Sequence, residues 1–170
     1  FSRGLCHNLP VRNHATSSTG IVLAVCISGR KGVRKHSVAE AACRAGHGIK
    51  GDAHAGDPVR QVSFLAARDI AEMERRGVTV TPGAFAENVV LDGDLFERVE
   101  VGDTLDITDG PAFVVTQIGK DCHNDGCAIK RQTGTCVMPT RGVFARVTRG
   151  GMLRPGQQIV AMKAGSAAAQ

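Results

Sequence analysis

A mostly β fold is predicted by this sequence: a closed or nearly closed β-barrel with a few short helices attached. Two observations carry that prediction. Short apolar runs of strand length recur along the body, and turn signals separate them about every 8–12 residues. Thr104–Thr108, Asp109-Gly110 and Ala112–Ile118 also form a strong hairpin signal, with Pro111 widening the turn. At 170 residues and 42% hydrophobic content, the chain is long enough for one domain with a real core.

The elements follow in order. Residues 1–19 are polar and without period, and are expected to be a flexible leader, with Cys6-His7 a weak mimic of a metal motif. The chain starts at Phe1, so the natural start is expected to be missing or altered. The domain is expected over 20–162, with a frayed tail at 163–170. Ile21–Ile27 is apolar and β-branched, and reads as a strand buried on both faces. Gly29–Lys35 is a basic loop expected to be solvated. Ser37-Val-Ala-Glu40 is a capping box that predicts a short helix stopping at Gly46. His47–Gly56 holds four glycines and must be a shaped loop. Arg60–Leu65 alternates like a strand, and Ala66–Arg76 reads as a helix with Ile70 and Met73 inward. Ala86–Leu91, Gly142–Val147 and Gln157–Ala161 are further strands.

Composition narrows the function classes. Trp and Tyr are absent and aromatics total 4%, which weakens single-stranded nucleic-acid binding, where stacking rings are needed. The net charge of +5 fits a small anionic ligand, or simply a solvated basic surface. No apolar run approaches the ~20 residues of a membrane span, so no membrane partner is expected. With no signal-peptide pattern, six sparse cysteines read as reduced cytoplasmic thiols.

The chemistry concentrates at Thr116–Cys127 and Cys136-Val-Met-Pro139. Cys122 follows an apolar strand in a turn that carries Lys120 and His123, cations that favour the reactive thiolate. His123 could pair with that thiolate, orient a ligand or cap the turn. Cys122, Cys127 and Cys136 have Cys-x4-Cys-x8-Cys spacing, which is not the paired-knuckle pattern of zinc ribbons. A sulfur nucleophile or carrier, a soft-metal ligand and an inert packing cysteine are the alternatives for Cys122.

A series of segments resembles the MOSC domain family, named after the C-terminal part of molybdenum-cofactor sulfurase. They are His47-Gly-Ile-Lys-Gly-Asp-Ala-His-Ala-Gly56, Arg60-Gln-Val62, Pro82–Asn88, Val101-Gly-Asp103, Thr116–His123 and Gly142–Val147. The cysteine pattern is similar to stand-alone bacterial members. The resemblance implies a barrel related to the small barrel domain of pyruvate kinase. It implies binding of pterin-based molybdenum (or tungsten) cofactor, with Cys122 as metal ligand or persulfide carrier. It also implies partners among molybdenum or tungsten enzymes or cofactor-biosynthesis proteins. The sulfur donor would be another protein, since the family's separate persulfide-making domain has no room here. Alternatives are a cofactor-dependent reductase of N-hydroxylated compounds and a cysteine-based metal or redox module. Ala84 and Ala86 bracket Phe85 where many relatives carry a second glycine.

Further candidates surround the thiol. His47, Lys50, Asp52 and His54 lie in the glycine-rich loop, where backbone N–H groups can approach phosphate and Lys50 adds charge. The loop lacks the Walker pattern, so ATP binding is unsupported. Arg60 and Gln61 open the next strand, and a guanidinium suits phosphate. Glu87 and Asn88 could read the pterin edge, or clamp the end of the barrel.

Overall fold

The structure is a computed structural model that describes residues 17–121, 130–131 and 136–165. Its strands are β1 (Ser18–Ile27), β2 (His36–Val38), β3 (Ala41–Arg44), β4 (Gly48–Ile49), β5 (Val62–Ala66), β6 (Val89–Asp92), β7 (Thr104–Ile107), β8 (Ala112–Ile118), β9 (Val143–Arg149), β10 (Gly151–Leu153) and β11 (Gln158–Met162). Helix α1 spans Ala67–Arg75 and the short α2 spans Met138–Arg141. A single 3₁₀ turn covers Leu95–Glu97.

The main sheet runs β11-β7-β8-β9-β5-β6-β1, and pairing of β11 with β1 closes it into a barrel. Strand β1 is long enough to serve two partners on one edge. Ser18–Ile21 pair with β11, and Val25–Ile27 pair with β2. A small sheet of β10, β3 and β4 packs alongside. The parallel pair β5–β6 forces a crossover, which α1 and residues 76–88 provide. That crossover lies over the outside of the barrel, so one wall carries a second layer.

Strand alternation sorts the side chains into two cores. Val22, Val62, Phe64, Val89, Leu91, Leu105, Phe113, Val143 and Ile159 fill the barrel. Phe64 meets Phe113 edge-to-face, with ring centroids 5.2 Å apart. Ala24, Cys26, Leu65, Val90 and Phe144 point outward from β1, β5, β6 and β9. They are covered by Ile70 and Met73 of α1, by Phe85, and by Val137 and Met138.

Two expectations fail. Residues 37–46 form β2 and β3 rather than a helix. The capping box is outweighed by tertiary contacts: His36–Val38 extend β1, and in β3 Ala41 and Cys43 are buried while Arg44 is exposed. That is strand alternation, fixed by β10 on one side and β4 on the other. Strand β1 is also not buried on both faces throughout. Ile21 and Leu23 are 40% and 46% exposed, because the outer layer covers only the segment from Ala24 onward.

Two backbone positions in the turn before β6 have opposite needs. Gly83 has φ +89, and a Cβ there would lie 2.3 Å from the carbonyl oxygen of Lys35. Ala86 also has positive φ, +65, in a region that favours glycine. Gly83→Ala should therefore destabilise by more than about 1 kcal/mol. Ala86→Gly should stabilise by up to about 1–2 kcal/mol. Urea midpoints that shift in the same direction for both variants would contradict this account.

Candidate functional site on the outer wall

The site grows from one buried carboxylate. Asp52 closes the glycine-rich loop with its side chain fully buried. Its Oδ2 accepts from Lys35 Nζ at 2.5 Å, from the Ser28 backbone N–H at 3.1 Å and from Asn88 Nδ2 at 3.0 Å. Its Oδ1 accepts from the His54 backbone N–H at 3.0 Å and faces His54 Nδ1 at 3.3 Å. Burial pushes the Asp52 pKa up, but hydrogen bonds from His54 and Lys35 together outweigh it and hold the carboxyl well below its usual range. Lys35 is as deeply buried as its partner. The expectation that the whole 29–35 loop is solvated therefore holds for Arg30–Arg34 and fails for Lys35.

Asn88 carries the network into the sheet. Its Nδ2 also donates to the Cys26 carbonyl, and its Oδ1 accepts from the backbone N–H and hydroxyl of Ser63. Glu87 turns back on its own loop, accepting from the Gly83 and Phe85 N–H groups at 2.6 and 2.9 Å. Burial raises the Glu87 pKa against those bonds. Both side chains are buried with their hydrogen bonds made inside the fold. In this arrangement they shape the wall. Gln61 is similar: its Oε1 accepts from the Val147 N–H and its Nε2 donates to the Gly46 carbonyl.

The register places these groups in one lateral row. Phe144 pairs with Ser63, Ser63 lies beside Asn88, and Cys26 bonds Asn88 on the far side and pairs with Ser37. Adjacent strands are ~4.8 Å apart, so the row spans only a few side chains. At its Phe144 end stands Lys120, with Nζ 6.0 Å from the ring centroid. Lys120 leads from β8 toward Cys122, whose segment, with His123 and Cys127, lies outside the described residues. Gly119 fixes that departure, with φ +68 and a would-be Cβ 2.2 Å from the Pro139 carbonyl oxygen. Thr116 Oγ1 donates to the Val59 carbonyl at 2.5 Å, which ties the chain before β5 to the same wall.

The other candidates lie closer to solvent. His47, Lys50 and Arg60 are exposed, and His54 presents a side chain 31% exposed above Asp52. Lys35 and Arg146 were missed by sequence reasoning. Lys35 gave no signal, because its acid is 17 positions away. Arg146 lay in plain view inside Gly142–Val147, next to Phe144 on alternating strand positions. Among the described residues, no group of three His, Cys, Asp or Glu is placed to hold a metal.

The described cysteines separate by burial. Cys26 and Cys43 are buried free thiols, while Cys136 is only partly covered. Burial pushes the Cys43 thiol up to about 12, and it also raises Cys26. Both should resist alkylation by iodoacetamide at pH 8 in the native chain. Labelling of Cys26 at the rate of a denatured control would show that this wall opens, and the same for Cys43 that the small sheet does.

The ion pair yields a second expectation. Asp52→Asn leaves Lys35 buried without a counter-charge and should cost about 3–5 kcal/mol, whereas Lys35→Met with Asp52→Asn should recover part of the loss. The Asp52 pKa is depressed on folding, so its contribution is present above about pH 4 and fades as pH falls below that. Urea midpoints at pH 7 and pH 3 for both variants check this. The wild-type advantage over Asp52→Asn must shrink at pH 3.

Comparison with known proteins agrees with this architecture. YuaD from Bacillus subtilis superposes with a TM-score of 0.72 at 19% identity, covering 87% of this chain and 98% of its own. YiiM from Escherichia coli gives 0.61 at 19% identity, covering 88% and 72%. YiiM from Geobacillus stearothermophilus gives 0.58 at 23% identity, covering 86% and 75%. At these identities the likeness speaks for the fold. No curated protein matches the sequence. The model of the MOSC domain matches residues 51–160, from the glycine-rich loop through β8 and β9 to β11, and the chain belongs to that family.

Proposed function

We propose that this domain binds pterin-based molybdenum (or tungsten) cofactor and carries or delivers it, or its sulfur, with Cys122 as metal ligand or persulfide carrier. The observation that carries the reading is the lateral row on the outer wall. It joins Lys120, at the approach to Cys122, to the glycine-rich loop around Asp52 and His54 in a chain of MOSC membership.

The donor set fits such a group. A metal held by protein side chains alone would need several ligands. A metal that brings its own pterin sulfurs needs one soft protein ligand, and thiolate is the soft ligand available. In this reading Lys120, Lys50 and Arg60 would supply positive charge for a phosphate, and His54 would offer an imidazole held by Asp52. When bound, the cofactor would supply a redox-active metal with labile sulfur. The chain's own residues would position it, Lys120 favouring the thiolate form of Cys122.

As a persulfide carrier, Cys122 would attack the outer sulfur of another protein's persulfide. It would form its own S–S bond and release the donor's thiolate. Partners would be molybdenum or tungsten enzymes, cofactor-biosynthesis proteins and that sulfur donor. Free thiols at Cys26 and Cys43 suit a reducing compartment, so a cytoplasmic site belongs to the same reading.

Purification from a cofactor-competent host should recover metal, pterin and labile sulfur together, and Cys122→Ser should lose most of the metal. Equal metal and sulfur in wild type and Cys122→Ser would overturn the role of the thiol. Turnover of an N-hydroxylated compound by the loaded protein with a reductant would make it a reductase instead of a carrier.

A further inference from the structure

Clefts on the described surface differ in charge. One, lined by Arg68, Arg75 and Arg141, also contains Asp69, Glu72 and Glu97. Its neighbour beside Cys136 shares Asp69 and Glu72, and a third, by Ser17 and Lys163, contains Asp94, Glu97 and Asp103. In each, carboxylates compensate the cations. A fourth has a volume of about 500 Å³ and is lined by Gly46, Gly56, Pro58, Gln61, Arg146, Val147 and Thr148, with no carboxylate.

We infer that this cleft is an oxyanion site in which Arg146 anchors a phosphate group. Four features build it. The guanidinium is exposed on β9 and makes no ion pair or hydrogen bond with the described residues. It therefore keeps its donor fork for a ligand, and a guanidinium fork matches phosphate oxygens two at a time. The walls are braced from below by buried Gln61, whose amide links Val147 to Gly46, while the Gly46 N–H donates to the Val147 carbonyl. Gly46 and Gly56, both at positive φ, leave the mouth clear of side chains. Thr148 sits two residues along the strand on the same face, with a hydroxyl at the edge of the cleft.

Position matters as much as charge. Lys50 and Arg60 are exposed on loops, but Arg146 projects from a paired strand, which holds a binding group with less conformational freedom. It stands two residues from Phe144, about 7 Å along β9, and Lys120 lies over that ring. An anion held by Arg146 is therefore on the same wall as the approach to Cys122. This deepens the cofactor reading and rests on it for the ligand's identity. The shared chemistry is a phosphate dianion, whether free or at the end of an organic molecule.

The test titrates ¹⁵N-labelled full chain with inorganic phosphate and, separately, with phenyl phosphate. Amide shifts should concentrate at Gly46, Gly56, Val147 and Thr148. Arg146→Ala should weaken binding about tenfold or more, the range for charge-assisted hydrogen bonds, and Arg146→Lys should fall between. Arg75→Ala, in a carboxylate-lined cleft, should leave binding unchanged. Unchanged affinity in Arg146→Ala, or an equal loss in Arg75→Ala, overturns the site. Tighter binding of phenyl phosphate assigns the site to a phosphorylated organic ligand, and equal or weaker binding assigns it to free phosphate. Phosphate binding at Arg146 without pterin or metal in the purified wild type would preserve this site while defeating the cofactor reading. The converse result would defeat only this site.

Discussion

The Asp52 carboxylate is the point on which the rest of the outer wall depends. Four pieces of chain meet there: the Ser28 end of β1, the Lys35 approach to β2, the glycine-rich loop and the Asn88 start of β6. Removing a carboxylate from water is costly, and only several simultaneous donors make the ionised form tolerable. The depressed pKa of Asp52 is the record of that balance. A well-packed apolar cluster could match the pair in stability, but it would not dictate where each loop sits. The charge pair sets loop position through directed hydrogen bonds. His54, Lys35 and the turn before β6 are therefore placed relative to one another and not merely near one another.

A second constraint decides where on the barrel a ligand can go. The interior is closed by Phe64, Phe113, Leu105, Ile107 and Ile159, all fully buried, so it is a packed core. The parallel β5–β6 pair then moves α1 and its connecting loop onto one wall. That second layer buries Cys26, Ser63, Asn88 and Phe144, which would otherwise face water. The margin of the covered wall is where the glycine-rich loop, β9 and the end of β8 leave polar groups in reach of solvent. The barrel closure and the crossover together make this margin, and neither would do so alone.

The barrel was legible in the sequence because its strands carry local signals: β-branched runs, alternation and the Asp109-Gly110 turn. The glycine-rich loop was legible as irregular, and Asp52 and Asn88 were visible as polar residues in unusual company. What escaped depends on partners distant in the chain. The Ser37–Glu40 capping box is a valid local signal, yet β1 and β10 recruit that stretch as strands. Lys35 is indistinguishable from Arg34 until Asp52 is seen beside it. The left-handed conformation of Ala86 leaves no mark in the local sequence. The Cys122 segment remains an inference from residue chemistry and family resemblance, since it falls outside the described residues.

The distribution of acids sharpens what this wall can bind. Hard divalent cations such as calcium and magnesium need clustered oxygen ligands. Here Asp52 is buried and satisfied, Asp57 is engaged by the Val59 and Arg60 N–H groups, and the Arg146 cleft is lined by no carboxylate. Exposed acids are instead tied up elsewhere: Asp94 and Glu97 on Arg68, Asp106 on Arg149, Glu40 on Arg154. Pairing acids with arginines away from the wall leaves the Arg146 cleft without a lining carboxylate, so the modest net charge of +5 understates the field there. A surface built this way repels hard cations and attracts anions. That electrostatic balance is what the proposed anion seat on β9 would use.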